Sequence, residues 1–218
     1  MKEQKKIAVI LSGCGVYDGA EIHESVLTLL AISQQGALYT CFAPDINQHH
    51  VINHITGQEM DEQRNVLTES ARIARGDIHA LTDFNAGEFD ALIFPGGFGA
   101  AKNLSTFAFA GKDCTVESEV VRVLKDMVAA GKPVGAMCIS PVILSKIFGA
   151  IAVTIGTDEE TAKAIDDMGS MHVETSHGEV VIDEEHNFVT TPCYMLDANI
   201  NQIMMGANVV VREVLKLA

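Results

Sequence analysis

The chain has 218 residues, a hydrophobic fraction of 48% and a formal net charge of −14 at pH 7. That apolar content is enough for a buried core and argues against intrinsic disorder. The acidic balance, with a pI of about 4.8, makes nucleic acid an unfavourable partner because its phosphates would be repelled. No segment approaches the ~18 apolar residues of a membrane span, and no apolar leader with a cleavage site begins the chain. We therefore expect a cytoplasmic protein without a membrane partner.

The five cysteines are odd in number, lie far apart and include no C-x-x-C pair. This usage argues against a disulfide framework and a structural zinc site, and it predicts reduced thiols. His49, His50 and His54 form a histidine-rich segment, but the H-E-x-x-H pattern of zinc enzymes is absent. The glycines at 96–99 lack the residues of a phosphate-binding or dinucleotide-binding loop. We therefore expect no metal and no cofactor.

Predicted strands and helices alternate along the chain. The apolar run at 6–11 predicts a strand buried on both faces, and a helix over 22–34 and a strand over 38–43 complete a βαβ unit. The polar segment 44–58 is predicted to leave the sheet. Later patterns predict helices at 66–74, 116–130, 139–148, 159–168 and 199–217, and strands at 90–94, 134–137, 152–155, 180–183 and 188–191.

This alternation predicts a single α/β domain that covers residues 1–218. Its fold is expected to be doubly wound and flavodoxin-like, with a mostly parallel sheet and helices on both faces. The last two predicted strands are joined by Glu184-Glu185-His186, which suggests a small late β-hairpin.

Cys138 is the candidate nucleophile because it lies between a predicted strand and a predicted helix. Parallel strands end at one shared crevice, and Pro95-Gly96-Gly97 also follows a strand. The turn matches the nucleophile elbow of hydrolases, and the helix dipole predicts a lowered thiol pKa. The amides of Ile139 and Gly97 are candidate oxyanion donors. The alternative interpretation is a small buried cysteine without a catalytic role.

Three further residues are candidates for lining the same pocket. Gly96 directly follows a strand end, and Cys14 follows the first strand in a glycine-flanked loop. His172 precedes the predicted hairpin, where it either approaches the crevice or remains on the surface.

Several motifs together resemble the ThiJ/PfpI superfamily, which is related to class I glutamine amidotransferases, and more narrowly its ElbB-type subgroup. They are ILSGCGVYDGAEIHE, INHITG, FPGGFGAAKNL, MCISP and VTTPCYML, and the resemblance spans nearly the whole chain. In this superfamily a glutamate hydrogen-bonds the cysteine; the resemblance implies that role for Glu24, with Glu21 as the second candidate. It also implies a homodimer or other homo-oligomer.

The resemblance implies a cofactor-free glyoxalase, because the ElbB-type subgroup is credited with that activity and is tied by name to isoprenoid biosynthesis. Glyoxal would form a hemithioacetal with Cys138, and Glu24 would relay a proton to yield glycolate. Ile139 stands where protease-like members have histidine, and no His-x-Glu follows Val189, so peptidase and glutamine-hydrolase chemistry are disfavoured. The alternative is a redox-sensing or partner-binding protein in which Cys138 is oxidised.

Overall fold

The computed structural model describes residues 4–218, in which strands and helices alternate as the sequence predicts. The strands are β1 (Lys6–Ile10), β2 (Leu38–Ala43), β3 (Ile78–Ala80), β4 (Ala91–Phe94), β5 (Val134–Met137), β6 (Ala152–Val153), β7 (Met171–His172), β8 (Val181–Asp183) and β9 (Phe188–Thr191). The helices are α1 (Ile22–Gln34), α2 (Val66–Ile73), α3 (Phe98–Lys102), α4 (Phe107–Ala110), α5 (Ser118–Ala129), α6 (Pro141–Phe148), α7 (Glu159–Asp167) and α8 (Ile200–Leu217).

Seven of these strands form one sheet in the order β3-β2-β1-β4-β5-β9-β8. Neighbouring strands run parallel except for β8, which pairs antiparallel with β9 and forms the predicted late hairpin. The predicted fold class, a flavodoxin-like α/β fold with a mostly parallel sheet, is therefore confirmed. The strand predicted at 152–155 is shorter and pairs with β7 in a separate two-stranded sheet.

Each face of the sheet is covered by helices because its central strands are apolar on both sides. Along β1, Ile7 and Val9 join the cluster that packs against α1 and α8, whereas Ala8 and Ile10 join the cluster that includes α5 and α6. Burying one Ile or Leu side chain in this way stabilises the fold by roughly 1.5–3 kcal/mol. Among residues 4–218, no helix combines the length and apolar character that a membrane crossing requires.

Three short elements near the carboxyl edge of the sheet were not predicted. The strand β3 has three residues, too few to show a strand period. Helix α3 begins in a glycine-rich segment whose sequence favours a loop, and the short helix α4 follows it. Helix α3 begins there because Gly97, with φ of 98°, packs directly against the backbone of Gly19 and Glu21.

Candidate active site

Cys138 lies at the turn between β5 and α6, where the sequence predicts it. Its φ of 57° is in the left-handed region, which a residue with a side chain seldom adopts. Two hydrogen bonds tie this turn to neighbouring strand ends: the Cys138 amide donates to Thr191 O at 3.0 Å, and Ser140 Oγ donates to Pro95 O at 2.7 Å. The neighbouring strand ends of β4 and β9 therefore fix the position of the cysteine.

The glycines after β4 allow the backbone to reach the thiol. A Cβ built on Gly96 would overlap the Cβ of Cys138 and lie 2.9 Å from its Sγ. The amides of Gly97 and Ile139 lie close enough to the Cys138 sulfur to favour its anionic form and so lower the thiol pKa. The two predicted oxyanion donors thus converge on the candidate nucleophile.

Glu24 meets the thiol from the first turn of α1. Its side chain is fully buried and lies beside Cys138, since both pack against Gly96. The carboxyl also accepts from the amide of Gly96 at 2.8 Å through Oε2 and from the amide of Tyr194 at 3.1 Å through Oε1. The pKa of Glu24 is raised to about 7: burial is the largest cause, the nearby charge of Glu21 acts in the same direction, and the Tyr194 and Gly96 amides oppose the shift. This carboxyl therefore changes protonation near neutral pH.

Glu21, the second candidate glutamate, has a different position. It caps the N-terminus of α1, where its Oε2 accepts from the Glu24 amide at 2.6 Å. Glu24 is therefore the glutamate that contacts Cys138, and Glu21 fixes the start of the helix that carries it.

The predicted lowering of the Cys138 pKa is wrong. Burial first, and then the Glu24 charge, raise the pKa of the thiol well above its usual value, although the Gly97 and Ile139 amides act in the opposite direction. The helix α6 begins only at Pro141, so its dipole does not offset the burial. Above pH 7 the pair holds one proton, which rests on sulfur, and the Glu24 carboxylate is the adjacent base.

A cavity of about 300 Å³ opens beside Cys138. It is lined by Val16, Gly97, Phe98, Ala101, Phe107, Ala108, Cys138, Ile139, Asp158, Thr161, Tyr194 and Met195. A larger cleft of about 530 Å³ lies beside His49 and Glu59, but none of the site residues lines it. We therefore take the smaller cavity as the candidate substrate site, because it contains the thiol.

The four residues predicted to line the pocket, Cys14, Glu21, Gly96 and His172, do not line this cavity, although Gly96 packs directly against Cys138 and Glu24. Cys14 is half-buried on the side of its loop that faces Glu69 and Arg72 of α2. His172 lies in β7, and its Nε2 accepts from the Ile155 amide at 3.4 Å. Its strand belongs to the two-stranded sheet, which the sequence pattern did not separate from the main one. Within residues 4–218, no three His, Cys, Asp or Glu side chains are grouped as metal ligands.

Tyr194 is a site residue that the sequence analysis missed. Its amide supports Glu24, its side chain lines the cavity, and its hydroxyl lies 2.8 Å from His23 Nδ1. The sequence did contain a signal for Tyr194, because this residue follows the strand β9, which runs parallel to β5. Strands that run parallel bring their carboxyl ends to the same crevice.

The fold and this turn define a class: flavodoxin-like α/β proteins with a buried cysteine and glutamate at the carboxyl edge of the sheet. The chain belongs to the DJ-1/PfpI family, whose sequence model matches residues 74–194. It is 49% identical over 222 residues to the human glutamine amidotransferase-like class 1 domain-containing protein 3, mitochondrial, covering 97% of this chain and 83% of that protein.

Two solved structures show how far the likeness extends. An isoprenoid biosynthesis protein with amidotransferase-like domain from Ehrlichia chaffeensis superposes with a TM-score of 0.90 at 34% identity, covering 98% of this chain and all of that one. DJ-1beta of Drosophila melanogaster superposes with a TM-score of 0.56 at 17% identity, covering 99% of this chain and 96% of that one. The second comparison concerns the fold alone.

Proposed function

We propose that this protein is a cofactor-free glyoxalase that converts glyoxal to glycolate. The observation that supports this most directly is the contact between Cys138 and Glu24, a fully buried carboxyl whose pKa is about 7. A base that titrates near the working pH is effective in both directions of proton transfer. The reaction requires both directions, because a proton must leave one carbon and reach its neighbour.

The first step forms a bond between Cys138 Sγ and an aldehyde carbon of glyoxal. Glu24 takes the thiol proton as sulfur attacks and passes it to the new alkoxide, which gives a neutral hemithioacetal. The Gly97 and Ile139 amides, which lie near the sulfur, donate to the oxygen as its negative charge develops.

The second step moves hydrogen within the adduct. The Glu24 carboxylate removes the hydrogen from the carbon bonded to sulfur and delivers it to the adjacent carbonyl carbon, while the hydroxyl proton passes to the former carbonyl oxygen. The product is a thioester of glycolate, which water hydrolyses to release glycolate and restore the thiol. One carbon is oxidised and its neighbour reduced, so glyoxal and water balance glycolic acid without another reactant.

The test is glycolate formation from glyoxal by the wild type and by the Cys138→Ser and Glu24→Gln variants. We expect many turnovers per wild-type chain and a loss of at least about 1,000-fold in both variants, since the two residues act as a unit. Cys193→Ser is the matched control, because this other buried cysteine does not line the cavity. A wild type that forms only a stoichiometric adduct would refute the proposal.

A redox-sensing or partner-binding role is the weaker alternative. Oxidation to sulfenic or sulfinic acid is favoured by an exposed thiolate, whereas Cys138 is buried and its pKa is raised. This alternative is tested by treating the protein with dilute hydroperoxide and measuring by mass spectrometry whether Cys138 gains one or two oxygens. Oxidation at that residue without glyoxal turnover would favour this alternative.

Location and assembly belong to the same proposal. Five free cysteines suit a reducing compartment such as the cytoplasm, although the human relative is named as mitochondrial.

A homodimer or other homo-oligomer is supported by three exposed apolar residues spaced four apart on α1, namely Ile22, Val26 and Leu30.

A further inference from the structure

One proton transfer in the proposed reaction still lacks a carrier. In the second step a proton passes from the hydroxyl of the hemithioacetal to the neighbouring carbonyl oxygen, while Glu24 moves the hydrogen between the two carbons. The amides of Gly97 and Ile139 donate hydrogen bonds to oxygen but do not release their protons. The step therefore calls for a further group beside Cys138 that gives a proton to one oxygen and takes one from the other.

Among the described residues, three side chains that contain oxygen line the cavity with Cys138, namely Asp158, Thr161 and Tyr194. Asp158 caps helix α7 and accepts from the Thr161 amide at 2.8 Å. Thr161 also holds the pKa of Asp158 below its ordinary value, so this carboxyl has no proton to give at neutral pH. The aliphatic hydroxyl of Thr161 is a far weaker acid than the phenol of Tyr194. Tyr194 is therefore the strongest candidate for the carrier.

The Tyr194 hydroxyl is paired with a titratable group that reaches solvent. Its oxygen lies 2.8 Å from His23 Nδ1, and the two ring centroids are 5.9 Å apart. His23 is exposed in the first turn of α1 and directly precedes Glu24, whose Oε1 accepts from the Tyr194 amide at 3.1 Å. Tyr194 is thus linked both to the buried base and to an imidazole that can exchange protons with water.

The surroundings of Tyr194 keep its hydroxyl protonated at neutral pH. Burial is the largest cause that raises its pKa, and the charges of Glu21, Glu24 and Cys193 act in the same direction. The phenol is therefore a proton donor in the resting site. An N–H bond from His23 would stabilise the tyrosinate that forms when this proton leaves.

We propose that the Tyr194 hydroxyl, supported by His23, is the second acid–base group of the reaction. This inference rests on the proposed glyoxalase function. As Glu24 removes the proton from the carbon bonded to sulfur, the Tyr194 hydroxyl gives its proton to the neighbouring carbonyl oxygen, which forms a neutral enediol. The tyrosinate then takes the proton of the other hydroxyl, whose oxygen becomes the thioester carbonyl, while Glu24 returns its proton to the adjacent carbon. Both side chains end in their starting states.

Tyr194→Phe removes the hydroxyl and keeps the ring and the amide that supports Glu24. We expect kcat for glyoxal to fall about 100-fold or more, the usual contribution of a positioned acid–base group. Alkylation of Cys138 by iodoacetamide should change less than about threefold, because the thiol and its base are retained. Tyr17→Phe is the matched control and should leave turnover unchanged. The Tyr17 ring also lies beside a histidine, His54, at a centroid distance of 4.9 Å, but Tyr17 does not line the cavity.

A second variant separates proton transfer from structural support. Replacing Tyr194 alone with 3-fluorotyrosine keeps the hydroxyl and its histidine partner but makes the phenol more acidic. We expect this variant to retain, near neutral pH, the turnover that Tyr194→Phe loses. The alkaline limb of its kcat profile, where the acid has lost its proton, should lie at least about one pH unit below that of the wild type.

The outcomes separate this inference from the proposed function. Wild-type turnover that Tyr194→Phe retains within about threefold overturns the role of the hydroxyl and leaves the glyoxalase intact. A fall in Tyr194→Phe turnover that is matched by slower Cys138 alkylation also overturns it, as does an alkaline limb that fluorination does not move. Absence of glycolate from the wild type refutes the proposed function, and this inference with it.

Discussion

The turns after β5 and β9 make an instructive comparison, because each places a cysteine at the end of a parallel strand. Cys138 and Cys193 have φ values of 57° and 43°, both in the left-handed region. Both side chains are buried, with 7% and 5% of their surface exposed. Their strands are direct neighbours, and burial raises the pKa of both thiols.

The two thiols differ in what surrounds them. Cys138 contacts Glu24 and two backbone amides and borders the cavity. The Cys193 sulfur packs against helix α8, where a Cβ on Gly206 would lie 3.0 Å from it. A strand end and a left-handed backbone therefore do not distinguish a reactive cysteine from a structural one. What distinguishes the reactive cysteine is the combination of an adjacent base, nearby amide donors and access from the cavity.

The largest expected effect is in alkylation by iodoacetamide, a small neutral reagent. We expect Cys138 to react at least about 1,000-fold faster than Cys193, because Cys193 becomes accessible only through local opening, which costs roughly 4 kcal/mol at a buried site. The rates are followed residue by residue by peptide mass spectrometry, which separates both from the half-buried Cys14.

Cys138→Ser is the control for this measurement and should leave the Cys193 rate unchanged. Equal rates at the two cysteines in the wild type would contradict the contrast between the turns. They would mean that the surroundings of Cys138 add nothing to its reactivity.

The fold was largely predictable because its central strands are short apolar runs bounded by glycine, proline or charge. The strands β1, β2, β4 and β5 fall within one residue of their predicted limits. The prediction failed where long-range packing decides the structure. Helix α3 forms in a glycine-rich segment because Gly97 packs on the loop before α1, and β6 leaves the main sheet to pair with β7.

The site was predictable in its positions more than in its electrostatics. Strand ends pointed to Cys138, Gly96 and Gly97, and the family resemblance pointed to Glu24. The direction of the Cys138 pKa shift depends on burial and on the charge of Glu24, neither of which local sequence reveals. Tyr194 was missed because its contribution to Glu24 is a backbone amide, which every residue except proline carries.

The next effect concerns pH, because the buried Glu24 carboxyl beside Cys138 titrates near neutral pH. The folded-state pKa of Glu24, about 7, lies above its ordinary value of 4.5, so its contribution to stability is fully present below pH 4.5 and is lost as pH rises through 7. The loss amounts to roughly 3 kcal/mol.

Denaturant unfolding of the wild type and Glu24→Gln between pH 4.5 and 8 measures this contribution. As pH rises across this range, the difference between the two free energies of unfolding should change by roughly 3 kcal/mol, because the other titrating groups are common to both proteins. Glutamine loses one amide contact, which adds an offset that does not depend on pH. A difference that is flat across this range would show that Glu24 ionises normally.

The smallest expected effect comes from adding one methyl group beside each of the two cysteines. Gly96→Ala puts a methyl group where it overlaps the Cys138 Cβ and lies 2.6 Å from Glu24 Oε2. The backbone on both sides is held by the turn and by α1, so we expect a loss of about 2 kcal/mol in stability, together with weaker glyoxal turnover. Denaturant unfolding and the glycolate assay measure the two effects.

Gly206→Ala is the matched substitution beside Cys193. Its methyl group would lie 3.0 Å from the Cys193 sulfur, a tight contact, but alanine in the interior of α8 gains about 1 kcal/mol of helix propensity over glycine. The two terms oppose each other, so the stability should change by less than about 1 kcal/mol, and glyoxal turnover should be retained because Gly206 does not line the cavity. Loss of turnover in Gly206→Ala with stability intact would show that the Cys193 turn takes part in the chemistry, and the contrast between the two cysteines would then fail.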